Sequence, residues 1–122
     1  MSVMRVLVVE DEALVAMHVE DSLVDAGFEV VAVAPTVREA LSCADSLEFD
    51  AAILDINLGD GIVWPVAERI AALGRRIVFL SSDCARQDFP SCCCTAPRIA
   101  KPFFGHELAA MLRDLDRGLL VA

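Results

Sequence analysis

Short apolar runs without polar alternation constrain the fold more than any other feature of this sequence. They occupy 3–9, 28–34, 51–55 and 76–81, and a shorter run lies at 97–100. A continuous apolar run is typical of a strand covered on both faces, as the strands of parallel sheets are. Segments with helical spacing or helix-end signals follow four of these runs, at 12–27, 36–47, 62–74 and 104–118. This alternation predicts an α/β fold with a parallel sheet between two layers of helices.

The fourth crossover, 82–96, departs from this regular pattern. Pro90 lies in its middle, and its apolar residues follow no helical period. We therefore predict that any helix here is short or irregular. The segment also holds four of the five cysteines, Cys84, Cys92, Cys93 and Cys94. Adjacent cysteines lack the spacing of a zinc site, so we interpret them as small apolar residues, with a metal or redox role as the alternative.

Composition limits the classes of function. A chain of 122 residues is long enough for one domain, and its 57% hydrophobic content excludes a disordered chain. Ten basic residues against 19 acidic ones give a net charge of −9, which argues against nucleic acid or an anionic membrane as a partner. No signal peptide or membrane-spanning run is recognisable, so we predict a cytoplasmic protein with reduced thiols.

Polar side chains collect where the predicted strands end. Glu10 and Asp11 follow the first strand, Asp55 ends the third, Ser81 ends the fourth and Lys101 follows the fifth. The carboxyl ends of parallel strands share one edge, so these side chains are expected to converge. Several carboxylates in one crevice favour a hard divalent cation such as Mg²⁺. Together with a lysine and a hydroxyl, such a site suits phosphoryl transfer.

Four segments carry a resemblance to a known family: VLVVEDE, ILDINL, FLSS and AKPF, in that order. In this respect the chain resembles the CheY-like receiver domains of two-component response regulators. The resemblance implies a flavodoxin-like fold with strand order 2-1-3-4-5. It also implies a single receiver domain over 1–122, with no output domain.

The same resemblance implies how the acidic site works. Asp55 matches the phosphoacceptor, which takes a phosphoryl group from a sensor histidine kinase or a phosphotransfer protein. Asp11 matches the direct ligand of Mg²⁺, with Mn²⁺ as a possible substitute, and Glu10 matches an acid that holds the metal through water. Asn57 matches the position that lends a backbone carbonyl to the metal, to which Asp55 also binds.

Two further residues receive roles from the resemblance. Lys101 matches the lysine that pairs with a phosphoryl oxygen, and its bond to Pro102 matches a peptide that is usually cis. Ser81 matches the hydroxyl residue that turns towards the phosphate. A narrower likeness, to stand-alone receivers of alphaproteobacteria, rests on DINLGDGIVWPVAERIAALGRRIVFLSS. Arg98 departs from the family, because it stands where a switch aromatic is expected.

The predicted function is that of a phosphoacceptor which signals through protein contacts, as a monomer or weak homodimer, and is not an enzyme. Two alternatives stay open. A phosphatase that forms an aspartyl phosphate would carry Asp-x-Asp on its first strand, whereas here Asn57 follows Asp55 on the third. A receiver-like module that signals without phosphate would explain Arg98.

Asp60 is interpreted as a turn residue, and His18 and His106 as surface residues.

Overall fold

The computed structural model describes residues 3–83 and 85–118. Its strands are β1 (Arg5–Val9), β2 (Glu29–Ala34), β3 (Ala51–Asp55), β4 (Asn57–Leu58), β5 (Gly61–Ile62), β6 (Arg76–Ser81) and β7 (Arg98–Ala100). Its helices are α1 (Ala13–Asp25), α2 (Val37–Ser46), α3 (Trp64–Ala72) and α4 (Gly105–Asp116), with a 3₁₀ turn at Ser91–Cys93. The elements alternate as predicted, and most ends differ from the predicted ones by one or two residues.

Five strands form one parallel sheet in the order β2-β1-β3-β6-β7. This is the predicted order 2-1-3-4-5 once β4 and β5 are set aside, and the α/β fold class is confirmed. β4 and β5 form a separate two-residue antiparallel pair, which the sequence analysis did not predict. Strands of two residues are too short to show a hydrophobic period, so their sequence carries no signal.

Two apolar clusters cover the two faces of the sheet. On one face, Leu7 and Val9 of β1 pack with residues of α2 and α3. On the other, Val6 and Val8 pack with residues of α1 and α4. Every residue of β3 is buried, because this central strand is covered on both faces. Double coverage explains why the strand runs in the sequence are apolar throughout.

Helix α2 begins with two caps. The Thr36 side chain accepts a hydrogen bond from the Glu39 backbone N–H at 3.1 Å. Asp60, interpreted as a turn residue, does more: its carboxylate accepts hydrogen bonds from the N–H groups of Val37, at 2.8 Å, and Arg38, at 3.2 Å. The hydrogen bond from Val37 in particular lowers the pKa of Asp60. The β4–β5 pair is thereby tied to the start of α2.

The segment between β6 and β7 is irregular, which confirms the prediction. Among its described residues the only helical element is the 3₁₀ turn. Within that turn Cys93 is buried, and burial together with its neighbour Cys92 raises the pKa of its thiol to about 12. Cys93 therefore packs as a small apolar residue, whereas Cys92 and Cys94 are exposed. Cys84 lies outside the described residues.

The apolar face of α1 divides into two parts. Val19 and Leu23 are buried, whereas Leu14 and Met17 are 81% and 56% exposed. Apolar spacing predicted the helix, but it does not show which apolar positions meet another element. None of the helices in the described part of the chain is long and apolar enough to cross a membrane.

Candidate functional site

Four loops place the predicted site residues at one edge of the sheet. Glu10 follows β1 and is 1% exposed, and Asp55 ends β3 and is 6% exposed. The pairing of β1 with β3 aligns Val9 with Leu54, so the residues that follow emerge side by side. Lys101 follows β7, and its backbone N–H donates to the Ser81 carbonyl at 2.9 Å. The predicted convergence is therefore observed.

Lys101 joins two of the carboxylates. Its Nζ lies 2.8 Å from Oε1 of Glu10 and 3.1 Å from Oδ2 of Asp55. Burial of Lys101 opposes its charge, but the hydrogen bond to Glu10 and the charge of Asp55 outweigh this effect and raise its pKa. Lys101 is the only lysine in the sequence.

The carboxylates have the arrangement of a cation site. Glu10, Asp11 and Asp55 each offer an oxygen within 4.8 Å of the others. Oε2 of Glu10 is buried and has no hydrogen-bond partner among the described residues. Burial, together with the neighbouring Asp55, raises the pKa of Glu10 to about 8. The raised pKa means that one ammonium does not compensate for burial of Glu10 and its repulsion from Asp55, and an all-oxygen donor set fits Mg²⁺.

The β4–β5 pair borders this cluster. Asn57 is an exposed residue of β4, two positions beyond Asp55. A Cβ atom added at Gly59, in the turn between β4 and β5, would lie 3.9 Å from Oδ2 of Asp11. The turn therefore passes close to the acids. The predicted role of the Asn57 carbonyl as a metal ligand stays a prediction.

Ser81 is a buried residue at the end of β6, beside the end of β3. Its Oγ donates to the Asp83 carbonyl at 2.8 Å and accepts from the Asp83 N–H at 3.0 Å. The hydroxyl is therefore engaged by the following loop in this structure. The bond between Lys101 and Pro102 is cis, as the resemblance implied.

A groove beside the site has no counterpart in the sequence analysis. It encloses about 420 Å³ between the start of α1 and the segment after β7, where Leu14, His18 and Phe103 contribute to its walls. The rings of His18 and Phe103 are stacked, with centroids 5.1 Å apart. His18 is exposed, as predicted. In the sequence, the sign of such a groove is that α1 has more apolar positions than one buried helix face requires.

A doubly wound parallel sheet with clustered carboxylates and a lysine at its carboxyl edge is the arrangement of a phosphoryl-accepting signalling domain. The family model of the response regulator receiver domain matches residues 6–113. The chain belongs to this family.

Solved structures agree with this assignment. SdrG from Sphingomonas melonis Fr1 is 37% identical, with a TM-score of 0.78, and the match covers 94% of this chain and 98% of that one. The response regulator TrrA from Thermotoga maritima, solved with Mg²⁺ and BeF, is 28% identical, with a TM-score of 0.80 over 92% of this chain and 98% of that one.

One curated protein matches part of the chain. It is a protein-glutamate methylesterase/protein-glutamine glutaminase from Archaeoglobus fulgidus, 54% identical over 55 residues. These residues are 45% of this chain and only 16% of that protein. The match therefore concerns a small part of the enzyme.

Proposed function

We propose that Asp55 accepts a phosphoryl group from a phosphohistidine on a sensor histidine kinase or a phosphotransfer protein. The observation that carries this proposal is the position of the Asp55 carboxylate, which lies 3.1 Å from the Lys101 ammonium and within the cluster formed with Glu10 and Asp11. A carboxylate that is nearly buried, held by its strand and flanked by a cation is positioned as a nucleophile.

The transfer is a direct displacement at phosphorus. An Asp55 carboxylate oxygen attacks the phosphorus atom while the bond to the imidazole nitrogen of the donor breaks, and the donor histidine leaves. The Lys101 ammonium, which bridges Glu10 and Asp55, moves to an oxygen of the transferred group and offsets its negative charge. Because little other covalent chemistry is needed, the protein contributes positioning and electrostatic stabilisation.

The acids fit a Mg²⁺ ion, or Mn²⁺ in its place. Asp11 and Asp55 would bind the metal directly, Glu10 through water, and Asn57 through its backbone carbonyl. The bound ion supplies positive charge that offsets the repulsion between the carboxylates and the incoming phosphoryl group. The buried, unpartnered Oε2 of Glu10 supports this assignment, because an unpaired buried oxygen is costly unless a cation or an ordered water satisfies it.

The signal is proposed to leave the domain through protein contacts, and the chain to act without an enzymatic activity of its own. Beside the site, Leu14 is exposed and lines a groove that Lys101 and Phe103 also border. These apolar side chains support a protein partner over a small molecule. We further propose that residues 1–122 form one receiver domain and that it works in the cytoplasm, as a monomer or weak homodimer.

A phosphotransfer profile tests the proposal. Histidine kinases of the host, purified and labelled with radioactive phosphate, are mixed with the chain in Mg²⁺ or in excess EDTA. We expect at least one kinase to transfer its label within seconds to minutes, only in Mg²⁺. Turnover of small phosphate esters with no transfer from any kinase would contradict the proposal and favour a phosphatase.

A further inference from the structure

Arg98 holds the irregular segment between β6 and β7 in place. Its guanidinium lies 3.6 Å from the centroid of the Phe89 ring. Nη1 donates to the Arg86 carbonyl at 2.7 Å, and Nη2 donates to the Cys94 carbonyl at 3.3 Å. A planar guanidinium is suited to this position, since it stacks on a ring while its N–H groups reach two separate acceptors.

The ring under Arg98 belongs to an aromatic cluster that also contains Trp64 and Phe79. Phe89 is 8% exposed and lies 4.9 Å, between ring centroids, from both Trp64 and Phe79. The guanidinium of Arg86 lies 5.4 Å from the Trp64 ring and pairs with Asp88. A shift of the segment would therefore change the surroundings of Trp64.

A chain of hydrogen bonds leads from the functional site to Arg98. Ser81 Oγ donates to the Asp83 carbonyl, and the Arg86 N–H donates to the same carbonyl at 3.3 Å. The carbonyl of Arg86 in turn accepts from Arg98. These three hydrogen bonds join described residues only. Two of them connect a side chain to the backbone, and the third connects two backbone groups.

We propose that this chain, Ser81–Asp83–Arg86–Arg98, is the route by which occupancy of Asp55 reaches the segment between β6 and β7. The Ser81 hydroxyl has one proton, and in this structure it is donated to Asp83. When the hydroxyl turns to a group on Asp55, the Asp83 turn loses both of its bonds to Ser81. Arg86 then shifts, and its carbonyl no longer accepts a hydrogen bond from Arg98. Arg98 therefore acts at the position where the resemblance leads us to expect a switch aromatic.

This inference rests on the proposed function, because it requires that a phosphoryl group or its mimic occupies Asp55. It also gives Arg98 a different interpretation from the alternative in which the domain signals without phosphate. The aromatic ring of a typical receiver is absent at this position, but a polar connection to the site is present.

Trp64 is the only tryptophan in the sequence, so its fluorescence reports on the end of the chain of hydrogen bonds. The protein, residues 1–122, is titrated with beryllofluoride, an acyl-phosphate mimic, at constant Mg²⁺ concentration. In the same samples, ¹⁹F NMR measures how much of the mimic is bound. We expect a fluorescence change in the wild type that saturates with the bound ¹⁹F signal.

Three variants separate the proposed route from local disturbance. Ser81→Ala removes the hydroxyl at one end of the route, and Arg98→Met removes the guanidinium at the other. Ser81→Ala also loses a hydrogen bond to the mimic, so each variant is compared with the wild type at the mimic concentration that gives the same bound ¹⁹F signal. At equal occupancy we expect both variants to lose most of the fluorescence change. Arg117→Met, a substitution of an exposed arginine after α4, is the matched control and is expected to behave as the wild type.

The outcomes distinguish this inference from the proposed function. A bound ¹⁹F signal without any change at Trp64 in the wild type would overturn the route alone, as would a full change in either Ser81→Ala or Arg98→Met. Failure of the wild type to bind the mimic would contradict the proposed function, and the route with it.

Discussion

Lys101 Nζ lies 2.8 Å from Oε1 of Glu10, although the two residues are 91 positions apart in the chain. The contact exists because β1 and β7 lie in one parallel sheet and end at the same edge. It places the only lysine of the sequence at the acidic cluster, where it faces Asp55 as well.

The first prediction concerns the charge of Lys101. Lys101→Met is expected to slow phosphorylation by acetyl phosphate roughly 100-fold, because the ammonium no longer offsets the charge on the transferred group. Binding of Mg²⁺, measured by calorimetry, is expected to persist, because the variant keeps every proposed ligand. Unchanged phosphorylation kinetics in Lys101→Met would show that this ammonium has no part in the transfer.

The second prediction concerns the metal. Reductive methylation with ¹³C-formaldehyde labels Lys101 and the terminal amine alone, since the sequence has no other lysine. Addition of Mg²⁺ is expected to shift the Lys101 methyl signal, because the ion competes with Lys101 for the carboxylates. Asp11→Asn should weaken this response, whereas Asp21→Asn, on the exposed face of α1, should preserve it. An equal response in the two variants would place the metal elsewhere.

The third prediction concerns the packing of α4 on α1. A Cβ atom added at Gly105 would overlap Oγ of Ser22 and lie 2.9 Å from Cβ of Ser22. Gly105→Ala is therefore expected to lower the free energy of unfolding by about 1–3 kcal/mol. Urea denaturation measures the change.

Two controls accompany Gly105→Ala. Ser22→Gly removes both clashing atoms, so the double variant should lose less stability than the sum of the single variants. Gly59→Ala adds a methyl group that meets only Asp11, at 3.9 Å, and should not create a clash. Equal losses in Gly105→Ala and Gly59→Ala would contradict the close approach.

The fourth prediction concerns Asp60 and pH. Its carboxylate accepts hydrogen bonds at the start of α2, which lower its pKa from the ordinary value of 3.8. The folded state therefore favours the ionised form, and its contribution to stability is present above pH 3.8 and disappears as pH falls through the folded pKa. Asp60→Asn is expected to lower the thermal midpoint at neutral pH, with a difference that narrows in acid.

Thermal melts from neutral pH to below the pKa measure this effect. Asp21→Asn serves again as the control, because Asp21 is an exposed residue of α1. If the difference between the wild type and Asp60→Asn were constant across this range, the ionised carboxylate would not be the cap.

The sequence predicted the sheet and the positions of Asp55 and Lys101 because both follow from local patterns. Apolar runs marked the strands, and the rule for parallel strands placed their carboxyl ends together. The hydrogen bonds of Asp60 and Arg98 were not predictable in this way. Asp60 reaches α2 across 23 positions, and Arg98 finds its partners in a segment without a period. Such contacts depend on tertiary structure.

The exposure of Leu14 and Met17 has a similar explanation. Their spacing is helical, and α1 forms as predicted, but spacing does not reveal how much of a helix its neighbours cover. The roles of Asp55, Glu10 and Asn57 came from the family resemblance, and they stay predictions until the chemistry is measured.

The central claim is that Asp55 carries the phosphoryl group. The wild type and Asp55→Asn, with Asp21→Asn as a control, are incubated with acetyl phosphate and Mg²⁺, and intact masses are then recorded. The account predicts the added mass of one phosphoryl group on the wild type and on Asp21→Asn, and none on Asp55→Asn. The same added mass on Asp55→Asn would contradict it.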